Sequence, residues 1–230
     1  MNALKLSLLA AVGALTLGGA AQAADESPVS FTVNVGAATD YVFRGYSQTN
    51  EDPEVFGGLD AAYGKFYAGT WVSNVDFGDS TDFEYDLYAG FKPTVGPVAL
   101  DIGVIRYGYA GAPKGSGWNY WEGKVLASVP AGPATLGAAL YYSPDDTGNT
   151  GDGWYYEANA TVGIPNTKFS LSGAVGHQTI QKADDYTTWN AGAGFALTDH
   201  IGFDLRYWDT NVKATPIADH RVVLGVKATF

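Results

Sequence analysis

The sequence predicts an all-β protein, a single antiparallel up-and-down transmembrane β-barrel of about twelve strands. Three observations predict it. Segments of about ten residues alternate in polarity, short and long connections alternate between them, and no apolar stretch after the N-terminus is long enough for a helical span. The composition agrees, because 30 glycines and 15 tyrosines in a chain without long apolar periods favour strands over helices.

The N-terminal residues have the features of an export signal. Lys5 supplies a short positive region, residues 6–17 are apolar, and Ala21-Gln22-Ala23 has the small-x-small pattern of a cleavage site. We therefore expect residues 1–23 to be a cleaved signal peptide and residues 24–230 to form one outer-membrane barrel. With no cysteine, the barrel is stabilised without disulfides. The net charge of −11 argues against a nucleic-acid partner.

The strands follow from alternation of apolar and polar residues, since successive side chains of a strand point to opposite faces. Their predicted centres lie near residues 36, 59, 71, 88, 103, 123, 138, 159, 173, 192, 205 and 225. In six of them, taken in chain order, the apolar face holds Phe31, Val33 and Val35; Phe83, Tyr85 and Leu87; Leu100, Ile102 and Val104; Trp154, Tyr156 and Ala158; Ile201, Phe203 and Leu205; and Val222, Leu224 and Val226.

The connections fall into two alternating sets. Tight turns rich in glycine, proline and asparagine are predicted at residues 63–65, 93–97, 130–133, 165–167 and 198–200. Longer polar loops are predicted near residues 45–53, 76–82, 108–117, 143–153, 179–185 and 209–219. Five turns and six loops are what an even-stranded barrel needs when both of its termini lie on the periplasmic side.

Tyrosine and tryptophan concentrate at strand ends beside the long loops. Because such rings favour the membrane–water interface, we predict an aromatic girdle there, formed by Tyr41, Trp118, Tyr120, Trp121, Tyr141, Tyr142, Trp154, Tyr155, Tyr207 and Trp208. The last segment alternates up to a terminal aromatic, and we expect Phe230 to serve as the signal for the outer-membrane assembly machinery.

The polar faces of the strands carry charges of both signs. We predict that the pore is lined by Asp40, Arg44, Asp60, Glu84, Asp86, Asp101, Glu122, Lys124, Glu157, Asp204, Arg206, Arg221 and Lys227. Opposed charges across a narrow lumen select polar solutes, or they pair into networks that fill the interior of a small barrel. Arg44 lies where the first loop begins, and two readings stay open: an inward loop that constricts the pore, or polar capping of the strand end.

Two other chemistries have weak support. Asp145, Asp146, Asn149 and Asp152 offer oxygen ligands, but their spacing differs from that of a calcium loop, so we expect a solvated loop with no metal and no cofactor. A lipid hydrolase needs a paired histidine and serine. His177, His200 and His220 have no serine motif beside them, and we expect the protein not to be an enzyme.

Residues 40–77 contain several short elements, among them Phe43-Arg44-Gly45, Ser47-Gln48-Thr49, Gly57-Gly58 and Trp71. Together they resemble the signature of the TorF-like porin family of proteobacteria, a conserved domain of unknown function. The resemblance covers nearly all of the mature chain and departs near residues 106–110. It implies an outer-membrane barrel assigned as a porin by its architecture, without a defined substrate.

These observations lead to one expected function and two alternatives. We expect a porin-like channel in the bacterial outer membrane for passive diffusion of small polar solutes or ions. Its expected partners are the outer-membrane lipids, the assembly machinery and those solutes. The first alternative is a plugged structural or adhesion barrel that binds a partner through its outer loops, and the second is an outer-membrane lipid hydrolase.

Overall fold

The computed structural model describes residues 28–230, and the predicted signal peptide lies outside the described residues. Twelve long strands make up the fold: β1 (Val29–Ala38), β4 (Glu54–Tyr63), β5 (Phe66–Asn74), β6 (Phe83–Phe91), β8 (Val98–Ala110), β9 (Tyr120–Ala131), β10 (Ala134–Ser143), β11 (Gly153–Gly163), β12 (Phe169–Ile180), β13 (Tyr186–Ala196), β14 (Ile201–Thr210) and β15 (Arg221–Thr229). Three two-residue strands accompany them: β2 (Val42–Phe43), β3 (Tyr46–Ser47) and β7 (Thr94–Val95). Thr147–Asn149 and Pro216–Ala218 form single 3-10 turns.

The long strands close into a barrel. Each pairs antiparallel with the next long strand in the chain, and β15 pairs antiparallel with β1, with Asn34 opposite Thr229. Closure matters because it pairs the two strands that would otherwise be the edges of the sheet. The predicted twelve-stranded up-and-down barrel is confirmed, and each predicted strand centre falls inside its observed strand.

The connections alternate as predicted, and they define two ends of the barrel. At the turn end, short connections occupy residues 64–65, 92–97, 132–133, 164–168 and 197–200. At the loop end lie six longer loops, which we name L1 (39–53), L2 (75–82), L3 (111–119), L4 (144–152), L5 (181–185) and L6 (211–220). Residues 106–110, where the resemblance departs, continue β8 as regular strand.

The outer face of the barrel wall is mainly apolar and the inner face is mainly polar, as the alternation of residues along each strand predicts. Ile102 and Val104 are 44% and 50% exposed on the outer face, and Phe31, Val35 and Leu205 are exposed in the same way. The alternate residues point inward, and Glu84, Asp86, Asp101 and Glu122 are all buried. None of the helical segments in residues 28–230 has the length and apolar character needed to cross a membrane.

The packed core lies inside the barrel, in its loop-end half. Its largest cluster joins Tyr41 and Val75 to the inward rings of Tyr107, Tyr109 and Tyr120. Smaller clusters form around Tyr141 and Tyr155, and around Val42 and Trp208. The turn-end half is lined by polar and charged groups that are partly exposed, such as those of Asp60 and Lys227.

Candidate functional site

The barrel interior is the candidate site, and it contains every residue predicted to line a pore. Eleven of them lie on the inner faces of the long strands, and Asp40 and Arg44 reach the interior from L1. All thirteen are buried or half-buried. The face that each of the eleven strand residues takes is the one that the alternation of polarity predicts.

L1 folds into the barrel as a small hairpin of β2 and β3 with Arg44 and Gly45 at its tip. The Arg44 guanidinium donates to both Glu122 carboxylate oxygens, at 2.8 and 2.9 Å, and to Gln178 Oε1 at 3.1 Å. Arg44 and Glu122 are each 2% exposed. This bidentate pair joins the hairpin to β9 and β12 across the lumen, in the geometry that makes Arg–carboxylate bonds strong.

Aromatic rings surround the same guanidinium. Its central carbon lies 4.3 Å from the Tyr155 ring centroid, 4.9 Å from that of Tyr141 and 4.7 Å from that of Phe43. Burial lowers the pKa of Arg44, but Glu122, Tyr107 and Tyr120 together raise it by more, so that it lies well above its ordinary value. Arg44 is therefore a permanent buried cation that is held by one carboxylate and by the faces of the rings.

The rest of L1 contacts other parts of the inner wall. The Tyr41 hydroxyl donates to Glu84 Oε1 at 3.3 Å, and the Tyr41 ring packs edge-on against Trp71. On the opposite side, the Tyr46 ring contacts Tyr186 at a centroid distance of 5.0 Å. L1 thus narrows the loop-end half of the lumen from several sides at once.

The first loop combines an inward fold with polar capping of a strand end. The loop folds inward, and short polar side chains also cap the end of β1: Ser47 and Thr49 donate from their hydroxyls to Asp40 Oδ1 at 2.6 and 3.0 Å. Asp40 Oδ2 accepts from Arg221 at 2.8 Å. The capping bonds fix the base of L1, so that its tip is held at a defined depth in the barrel.

Two buried carboxylates beside L1 are incompletely paired. Glu84 is 1% exposed and Asp86 is 9% exposed. Within residues 28–230, Glu84 Oε2 and Asp86 Oδ1 have no hydrogen-bond partner. Unpaired buried carboxylate oxygens are costly, so the loop-end half of the lumen holds acidic groups beyond those that its own packing satisfies.

The turn-end half of the lumen carries two polar networks on opposite walls. On one wall, Asp101 accepts from the Tyr67 hydroxyl at 2.6 Å and from Lys124 Nζ at 3.2 Å. On the other, Arg206 donates to Asp204 at 3.0 Å and to Asn190 at 2.6 Å. Charges of both signs therefore face each other across this half of the barrel, where Asp101 is buried and Lys124, Asp204 and Arg206 retain partial exposure.

The predicted aromatic girdle is wrong for half of its members. Five of the ten rings are buried inside the barrel: Tyr41, Tyr120, Tyr141, Tyr155 and Trp208. Trp121 and Tyr207 are exposed on the outer face, and Trp118, Tyr142 and Trp154 are half-buried. Position at a strand end was the wrong criterion, because the face of a strand residue is fixed by its parity.

The alternation of faces along the strands does identify four of the five buried rings as inward-facing. Tyr120 shares its parity with Glu122, Tyr155 with Glu157 and Trp208 with Arg206, while Tyr141 has the parity opposite to the outward Leu140. Tyr107 and Gln178, which sequence reasoning missed, also face inward and contact Glu122 and Arg44. Tyr41 lies in L1, where no strand period applies.

The remaining candidate residues have local roles. Asp146 caps the 3-10 turn of L4, Asp145 accepts from the backbone of Gly151, and Asp152 accepts from the Tyr142 hydroxyl. In the described part of the chain, no group of three or more acidic or histidine side chains has metal-binding geometry. His177 contacts Thr187 at 2.9 Å, and His200 contacts the backbone oxygen of Thr229 at 2.8 Å.

Comparison with known proteins agrees with the fold. A family model described as a bacterial protein of unknown function (Gcw_chp) matches residues 22–230. The structure of the KdgM porin is similar at a TM-score of 0.61 and 7% identity, covering 86% of this chain and 99% of that one. A structure from work on in-meso crystallization of membrane proteins is similar at 0.53 and 10% identity, covering 86% and 83% of the two chains. No curated protein matches the sequence.

Proposed function

The chain belongs to the Gcw_chp family of bacterial proteins of unknown function, and from the interior of its barrel we propose that it is a narrow outer-membrane channel for small polar solutes or ions. One observation carries the proposal: the first loop folds into a lumen that has charged and polar side chains in both of its halves. The similarity to the KdgM porin supports the fold. The narrower TorF-like assignment stays a prediction, as do the outer-membrane location, the lipid and assembly partners and the cleaved signal.

L1 is the constriction in this proposal. Twelve strands enclose a lumen narrower than that of the 16- to 18-stranded porins, so a single inward hairpin is enough to control it. The turn-end half keeps opposed charges with partial exposure, which suits the passage of polar solutes. Solutes pass when the L1 tip moves away from Glu122 and Gln178.

Recording from single molecules in a planar bilayer tests the proposal. We expect discrete current steps from the refolded protein, and larger or longer ones when residues 41–49 are replaced by a short Gly-Ser linker. Heat-modifiable migration in gels confirms that each variant has folded. Silence of both folded proteins contradicts a channel.

A finer variant displaces L1 without deleting it. Gly45 has a φ of +90°, and a methyl group added there would meet the side chains of Thr188 and Thr210. Gly45→Ala is therefore expected to push the tip off the wall and to raise the conductance. Gly64→Ala is the matched control, since Gly64 has a φ of +60° in a turn where an added methyl group meets nothing within 4 Å.

A plugged barrel is the second candidate, and the burial of the Arg44–Glu122 pair favours it. In that case L1 is a permanent internal brace, and the barrel serves to present its outer loops to a partner. The two candidates predict different currents for Gly45→Ala: steps larger than those of the parent for a channel, and continued silence in folded protein for a brace.

A further inference from the structure

Charge is distributed unevenly along the axis of the barrel. Loops L1 to L6 together hold twelve carboxylates and four basic side chains, whereas the connections at the turn end hold three lysines and one aspartate. The loop end is therefore strongly acidic and the turn end weakly basic.

Most of the loop carboxylates face solvent. Ten of them are exposed: Glu51, Asp52, Asp76, Asp79, Asp82, Asp145, Asp152, Asp184, Asp185 and Asp219. Within the described range, Glu51 is the one of these that forms an ion pair, with Arg221 at 3.3 Å. Several of the others accept hydrogen bonds from backbone amides, as Asp76 does from Gly78. Such bonds leave the negative charge in place.

The acidic character continues into the lumen. Glu54, Glu84, Asp86 and Glu122 project from the loop-end parts of three strands, and Arg44 neutralises Glu122. Glu84 and Asp86 each keep a buried carboxylate oxygen without a hydrogen-bond partner in the described structure. Acidic side chains therefore lie both at the exposed loop end and, buried, in the adjoining half of the lumen.

We propose that the loop end collects cations and that the channel selects cationic solutes entering from that side. A mouth lined by charge of one sign raises the local concentration of the opposite ion and speeds its entry, and rings of Asp and Glu select cations. The proposal rests on the channel function above and adds the class of solute.

Three loop acids allow a clean test. The side chains of Asp52, Asp82 and Asp184 are exposed and make no hydrogen bond in the described structure, so Asp→Asn changes there remove charge without removing a hydrogen bond. Reversal potentials in a KCl gradient across a planar bilayer give the permeability ratio of K⁺ to Cl⁻. We expect K⁺ to be preferred and the triple variant to lose about half of that preference, more at 0.1 M than at 1 M salt because the Debye length falls from ~10 Å to ~3 Å.

An opposite-sign control uses the exposed lysines of the same loops. Lys114→Gln with Lys213→Gln is expected to raise the K⁺ preference, because it leaves the loop acids less compensated. A preference for Cl⁻, or a ratio that neither set of variants moves, overturns the cation proposal and leaves the channel intact. Silence of both the parent and the L1-replacement variant instead overturns the channel itself, and the cation proposal with it.

Discussion

Arg44 and Glu122 form a charge pair that water barely reaches, and the energetics of such pairs make a specific prediction. Removing one partner leaves the other charge buried and uncompensated, at a cost of about 3–5 kcal/mol, whereas replacing both by apolar side chains is often close to neutral. We expect Arg44→Met and Glu122→Met each to lower the free energy of unfolding by about 3 kcal/mol, and the double variant to recover most of that loss. Urea titration of the refolded protein in detergent micelles measures all three.

Arg106 supplies the matched control for this cycle. It donates to the backbone oxygens of Tyr107 and Tyr120 and lies over the Trp121 ring, which is on the outer face of the barrel. It has no carboxylate partner in the described structure. Arg106→Met should therefore cost about 1 kcal/mol. Additive losses in the Arg44 and Glu122 double variant would contradict a coupled pair.

At the scale of the elements, the strands were predictable and the first loop was not. A strand exposes its residues alternately to two different environments, so the sequence of β6 or β14 already shows which residues face inward. That information ends with the strand. At Asp40 the period stops. The depth that L1 reaches depends on the contacts of Arg44 with Glu122 and Gln178, which lie 78 and 134 residues beyond Arg44 in the chain.

The motif in the first loop predicted only part of how that loop folds. The Phe43-Arg44-Gly45 motif drew attention to the tip of L1, but its polar neighbours Ser47 and Thr49 suited a local cap equally well. The structure assigns the two roles to different atoms: the hydroxyls cap Asp40 and the guanidinium crosses the lumen. A cap can be predicted from neighbouring residues, whereas predicting a contact across the barrel requires knowing the register of every strand in between.

The two faces of the wall make a testable prediction for the strands. Leu205 lies in the middle of β14 and is 52% exposed on the outer face, whereas Thr161 on β11 has inward parity. We expect Leu205→Arg to destabilise the folded barrel in lipid vesicles by about 2–4 kcal/mol, because a charge at mid-depth faces hydrocarbon. Thr161→Arg places the same side chain in the polar lumen and should cost far less. Equal costs in vesicle-based unfolding would mean that the outer face is not in contact with lipid.

At the scale of the whole molecule, the fold depends on one closing seam. Strand β15 pairs with β1, and the last residue completes the seam: Val33 N donates to Phe230 O at 2.9 Å and Phe230 N donates to Val33 O at 2.8 Å. All other neighbouring long strands are adjacent in the chain, so this pairing is the one that brings its two ends together. Closure is therefore the long-range step of folding, with the largest loop-closure cost.

The side chain of Phe230 contributes little to that seam, which separates its role in assembly from its role in stability. Its ring is 68% exposed and stacks on His200 with a centroid distance of 5.7 Å, while the two seam hydrogen bonds use backbone atoms.

Phe230→Ala should leave the equilibrium stability of refolded protein within about 1 kcal/mol of the parent. If the ring is the signal read by the assembly machinery, the same variant should accumulate far less folded barrel in the outer membrane of cells. Phe31→Ala is the control, since Phe31 is also 68% exposed, on the strand across the seam. Equal membrane yields for the two variants would show that Phe230 acts only as another outward-facing aromatic.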